Sequence, residues 1–118
     1  MSRFHFIKQH DAMQCGIACL AMICRYYGKN YSLATLSEIC HATNEGVSLL
    51  SISDAAEQLG MHTIIGYSSV AKLSKVTLPC ILHWNQNHFV VLYKIKRGKY
   101  YVADPGKGLI KYSELEFV

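Results

Sequence analysis

Several features are missing from this chain, and each absence removes a class of explanation. No apolar run approaches the ~18 residues that a membrane-spanning helix needs. The opening stretch "MSRFHFIKQHD" has no apolar core of the ~7–15 residues found in a secretory signal. Five cysteines is an odd number, so a complete disulfide framework cannot close within one chain. The expected setting is therefore the cytosol, with the cysteines as thiols. Neither a CxxC pair nor HExxH occurs, so the strong zinc signatures are absent. No metal and no cofactor is expected. No block of five like charges exists, and the basic residues are scattered along the chain. The net charge of +4 then reads as a solvated basic surface rather than a nucleic-acid site. Internal repeats and low-complexity linkers are lacking too.

What is present suits one globular domain over residues 1–118. The chain is 51% hydrophobic and 17% charged, and its length suffices to bury about two thirds of the unfolded surface. The first half reads as helices. Residues 15–27 are apolar apart from Arg25, with Gly28 as the stop, which predicts a central and nearly surrounded helix. Ser32 is placed to cap a second helix with Leu33, Leu36 and Ile39 on one face. Ser48 or Ser51 is placed to cap a third, closed by Gly60. The second half reads as strands: "HTIIGY", "CILHWN", "HFVVLYKI" and, after a "KRG" turn, "KYYVAD". "DPGKG" is a loop, and "LIKYSELEF" a short strand with a Ser113-capped helical start. Helices followed by an antiparallel meander make an α+β domain, with N-terminal helices packed on a C-terminal sheet.

Cys15 sits where the first helix begins. Unpaired N–H groups there favour a thiolate over a thiol whose free pKa is about 8.5. Gly16 follows it and offers a substrate close access to the backbone. Cys19 and Cys24 lie inside the apolar helix, where a cysteine is ordinarily a small buried hydrophobe; the same holds for Cys40 and Cys80. A nucleophilic thiol needs a histidine, and the histidine needs an orienting group. His5, His10, His41 and His62 lie in polar or terminal segments, and His83 inside an apolar strand suits a structural role. His88 opens "HFVVLY" directly after the polar "NQN", at a strand edge suited to a base reaching a cleft. Asp104 ends the next strand. A plain hairpin leaves the two offset by about four residues, over ~10 Å at strand rise, so twist, a bulge or another pairing has to close the gap. Gln9, with a side-chain NH2, and the backbone N–H of Cys15 are candidate oxyanion donors.

"KQHDAMQCGIACLAMICRYYG", "GVSLLSISDAAEQLGMHT", "LPCILHWNQNHFVVLYKIKRGKYYVADPGKG" and "YSELEF" together resemble the N-terminal peptidase domain of bacteriocin-exporting ABC transporters. These are papain-like, double-glycine leader peptidases, and the resemblance runs in order over essentially the whole chain. It implies a papain-like fold and a cysteine endopeptidase that cuts a precursor peptide after a Gly-Gly or Gly-Ala pair. Cys15 would be the nucleophile, His88 the general base and acid, Asp104 the residue orienting that histidine, and Gln9 the oxyanion-hole side chain. The implied partners are the precursor peptide and the transmembrane and ATP-binding domains of the same transporter, at the cytoplasmic face of a bacterial membrane. The other reading is a leader-docking module without catalysis, but such relatives lack the cysteine, and Cys15 is present.

Three departures from the family pattern stand out. Gln14 precedes the nucleophile where an acidic residue is common. The export domains are absent, so the chain reads as an excised domain. A closing strand with a Trp-Gly signature is missing after "EF". The family's leaders are amphipathic helices, which call for an apolar groove. Leu49, Leu50, Ile52 and Tyr67 are candidates for it, with core packing as the competing role for each. Trp84, four residues before His88, is a candidate wall of the cleft.

Overall fold

The computed structural model describes residues 4–9, 14–42, 47–66, 76–84 and 88–113, with the side chain of Trp84 outside that description. Three helices lead, α1 (Cys15–Tyr26), α2 (Leu33–Ile39) and α3 (Leu49–Gln58). Four strands follow, β1 (Cys80–Trp84), β2 (His88–Lys96), β3 (Lys99–Asp104) and β4 (Gly108–Ser113). The strands form one antiparallel meander in the order β1-β2-β3-β4.

Helix α1 is the axis of the molecule. Every residue from Cys15 to Met22 is buried, as is Cys24, because β2 covers one side of the helix while α2 and α3 cover others. Ile17, Leu20 and Met22 are fully buried, and each such side chain contributes about 1.5–3 kcal/mol. The strand period of two divides the sheet between two cores. Phe89, Val91 and Ala103 join the α1 side, whereas Val90, Leu92, Tyr100 and Val102 pack with Leu82 and Tyr112 on the other.

Local chemistry explains the helix ends. The Ser32 hydroxyl accepts the Thr35 N–H at 3.0 Å, and Ser48, rather than Ser51, accepts the Ser51 N–H at 3.1 Å. All three helices end in the same paired bond pattern. At α1, Gly28 N–H donates to Arg25 O and Lys29 N–H to Cys24 O; Gly28 takes the left-handed φ of +81° that this ending requires. Gly60 and Met61 repeat the pattern after α3, and His41 and Ala42 after α2. Lys29 Nζ donates to the Leu59 carbonyl and ties the ends of α1 and α3 together.

Two expectations about the sheet change. No strand forms over residues 62–66 of "HTIIGY". Ile64 is 90% exposed there, so β-branched propensity had no neighbouring strand to act through; Tyr67 lies outside the described residues. The helical start after Ser113 also lies outside them. The "KRG" turn is a two-residue hairpin, with Arg97 and Gly98 both at positive φ (+52° and +73°), which matches the twist of the flanking strands.

Gly16 serves packing rather than substrate access. A Cβ there would lie 2.7 Å from Val47 Cγ2, 3.0 Å from Ile52 Cδ1 and 3.2 Å from Phe89 Cδ2. Gly16→Ala is therefore expected to destabilise the fold by about 1–3 kcal/mol, read as a lower urea midpoint; an unchanged midpoint would mean that α3 is not seated against α1.

The buried thiols make stability pH-dependent. Burial pushes Cys40 and Cys80 from 9.0 up to about 11, and raises Cys24 as well. Between those values the unfolded chain sheds thiol protons that the folded chain keeps. Their stabilisation is complete below pH 9.0 and is lost as pH rises through about 11. The urea midpoint should fall across that window, and fall less steeply in the Cys40→Ala/Cys80→Ala double variant.

Candidate active site

Cys15 is the first residue of α1 and is 5% exposed. Its neighbour Gln14 occupies the N-cap without a side-chain capping bond, and the first turn holds no acidic residue. Within that turn no carboxylate offsets the partial positive charge of the helix start. Gln14, the departure noted in the sequence, adds no charge at this end of the helix.

His88 opens β2 and Asp104 closes β3. His88 Nε2 and Asp104 Oδ1 are 2.8 Å apart, with Asp104 only 1% exposed. The same Oδ1 accepts the backbone N–H of Gly106 at 2.9 Å, a turn bond for which "DPG" is suited. A carboxylate oxygen accepts, so the hydrogen of this bond is on Nε2, and Nδ1 is the ring nitrogen left outside it.

A bulge closes the gap between the two residues. The ladder runs Lys94↔Tyr101 and then Leu92↔Val102, with Tyr93 left over on β2. Beyond Val91↔Ala103 the register sets Asp104 level with Val90, two residues from His88 on the same side of the pleat. Without the bulge it would stand level with Val91, on the opposite side.

Gln9 is held beside this pair. Its N–H donates to Pro105 O at 3.1 Å. The point where a Gly106 Cβ would stand is 3.5 Å from Gln9 Oε1 and 3.6 Å from Asp104 Oδ1, so the amide and the carboxylate flank one glycine. The start of α1 lies close to this end of β2. Gly16 packs on Phe89, the residue after His88. Cys19, one turn below Cys15, feels both Cys15 and Asp104; burial first, and then these two groups, push its thiol well above the usual range. Cys19 was missed as a member of this neighbourhood, although its four-residue spacing from Cys15 places both on one helix face.

The other candidates separate. Ile52 is 3% exposed and belongs to the core, so it does not line an exposed groove. Leu49 is half-buried against that core, and Leu50 is 63% exposed. Trp84 pairs with His88 across the β1–β2 ladder. His83 is exposed, not a satisfied interior histidine, and stacks on Phe89 with ring centroids 4.4 Å apart. Among the described residues, no group of three or more His, Cys, Asp or Glu is arranged to hold a metal ion.

The family model described as "Peptidase C39 family" matches residues 3–118. A probable microcin-H47 secretion/processing ATP-binding protein of Escherichia coli is 42% identical over 106 residues, which is 90% of this chain and 15% of that protein. The colicin V secretion/processing ATP-binding protein of Escherichia coli is 42% identical over 107 residues, 91% of this chain and 15% of its own length. The chain thus spans about 15% of the curated relatives it matches. Among solved structures, a double glycine motif protease from an AMS/PCAT transporter, in complex with the leader peptide, superposes with a TM-score of 0.93 at 38% identity, covering 98% of this chain and 83% of that one. The peptidase domain of Streptococcus ComA, a bifunctional ABC transporter of a quorum-sensing pathway, superposes with a TM-score of 0.89 at 28% identity, covering 98% and 90%. The helices packed on a four-stranded antiparallel sheet are the papain-like fold of these domains.

Proposed function

The chain belongs to the peptidase C39 family, and on that basis we propose that it is a cysteine endopeptidase removing double-glycine leaders from precursor peptides. The observation that carries the reading is the Asp104–His88 bond, made through Nε2. It leaves Nδ1 as the nitrogen that exchanges a proton with the Cys15 thiol. The Cys15 thiolate attacks the carbonyl after the small pair. Gln9 and the Cys15 backbone N–H stabilise the oxyanion. His88, now protonated, gives its proton to the leaving amine, and a thioester remains on Cys15. His88 then takes a proton from water, which attacks the thioester and frees the leader with Cys15 restored. Asp104 offsets the charge on the imidazolium during both steps.

Cleavage after a small pair would follow from a narrow channel at the scissile bond that excludes larger side chains. In the full-length protein this domain would sit on the cytoplasmic side of a peptide exporter, with the cargo leaving through the attached transmembrane and ATP-binding domains. The deciding experiment incubates the chain with synthetic precursors ending their leaders in Gly-Gly, Gly-Ala or Leu-Leu, followed by mass spectrometry. Products cut after the first two and not the third support the reading. Bound but intact peptides in all three cases would make the chain a leader-docking module instead.

A further inference from the structure

The cations that lie scattered in the sequence are gathered by the sheet. Lys94, Tyr101 and Lys111 are cross-strand neighbours on β2, β3 and β4. Both ammonium groups approach the one ring, at 5.0 and 5.7 Å from its centroid. One step nearer the hairpin tip, Lys96 stands directly opposite Lys99, a like-charge pair that costs stability. Arg97 occupies the turn between them. Among the described residues the only ion pair is His88–Asp104, and the other described acids, Glu38, Asp54 and Glu57, lie on α2 and α3.

An aromatic row adjoins these cations. Phe4 stacks on Tyr93 with centroids 4.5 Å apart, Tyr93 meets Tyr101 at 6.2 Å, and Phe4 meets Tyr26 at 6.2 Å. Tyr26 and Tyr27 extend the row at the end of α1 and are 50% and 51% exposed. The surface therefore joins apolar ring area, tipped with phenol groups, to a cluster of five cations that have no acidic partner among the described residues. Tyrosines with an apolar body and a polar tip suit the headgroup level of a bilayer, and Lys and Arg suit its anionic phosphates.

We propose that the β2–β3 hairpin, with the adjoining aromatic row, is a docking face for anionic phospholipid headgroups. Charge complementarity selects this occupant. The face lies apart from Cys15, His88 and Asp104, so the inference does not depend on peptide cleavage.

Sedimentation with lipid vesicles tests it. The chain should pellet with vesicles of phosphatidylcholine containing phosphatidylglycerol, release at high salt, and stay in solution with phosphatidylcholine alone. Each neutralised cation should weaken binding about fivefold, so Lys96→Gln/Arg97→Gln/Lys99→Gln should lose roughly a hundredfold. Lys94→Gln/Lys111→Gln should lose about twenty-fivefold by the same reasoning, and Tyr26→Ser should weaken binding with the charge unchanged. All three variants should keep the circular dichroism of the parent. No binding to anionic vesicles, equal binding to both vesicle types, or undiminished binding by the triple variant would overturn the proposal. Tighter binding to single-stranded RNA than to anionic vesicles would also overturn it, and would assign the face to nucleic acid.

Discussion

Cys15→Ala should leave double-glycine precursors uncut, with a loss in kcat on the order of ten-thousand-fold or more. The substitution removes only the sulfur. Position 15 is buried at the helix start, and alanine is a strong helix former, so the fold should survive and leader affinity should change little. Leader binding by fluorescence anisotropy and cleavage by mass spectrometry then separate the two functions. Residual cleavage above about a hundredth of the parent rate would remove Cys15 from the nucleophile's role. Iodoacetamide adds a second readout. Cys19, Cys24, Cys40 and Cys80 are held as thiols by burial, so alkylation of the folded chain below pH 8 should fall on Cys15 and disappear in Cys15→Ala. Equal labelling of several cysteines would contradict the assignment.

Asp104 should show a graded response. Its Oδ1 accepts from both His88 and Gly106, and an asparagine oxygen in the same place accepts both bonds as well. Asp104→Asn keeps the ring oriented and the Gly106 turn closed, but removes the negative charge that stabilises the imidazolium. A loss of roughly ten- to a hundredfold in kcat is expected, because a charge-assisted hydrogen bond becomes a neutral one of about half the strength. Asp104→Ala removes orientation and charge together, and roughly a thousand- to ten-thousandfold is expected. KM should change little in both, because neither variant alters a surface assigned to the leader. Equal losses in the two variants would mean that charge, rather than geometry, is what Asp104 supplies.

Much of this arrangement is legible in the sequence, where local chemistry decides the outcome. Ser32, Ser48, Gly28 and Gly60 marked helix ends that the structure observes, and the "DPG" turn marked the loop that carries Gly106. Features that depend on a neighbour in space were not legible. "HTIIGY" has strand composition but no partner among the described residues. Gly16 was read for its openness, yet Val47, Ile52 and Phe89 fill the space beside it. His83 was read as interior because its neighbours are apolar, but it is exposed beside Phe89. The cations from Lys94 to Lys111 look dispersed along the chain because cross-strand pairing, not sequence distance, collects them.

The leftover Tyr93 can be restated as a rule of parity. In a two-residue hairpin, residues facing each other differ by an odd number, as Lys96 and Lys99 do. His88 and Asp104 differ by 16, an even number, so an unbroken ladder would point them to opposite sides however long it ran. One unpaired residue changes even to odd. Lengthening the turn is then harmless to the pair, and deleting Tyr93 outright would preserve it. A single residue inserted between His88 and Leu92, or between Val102 and Asp104, would separate them, and would also shift the β1–β2 or β3–β4 register at that end of the sheet.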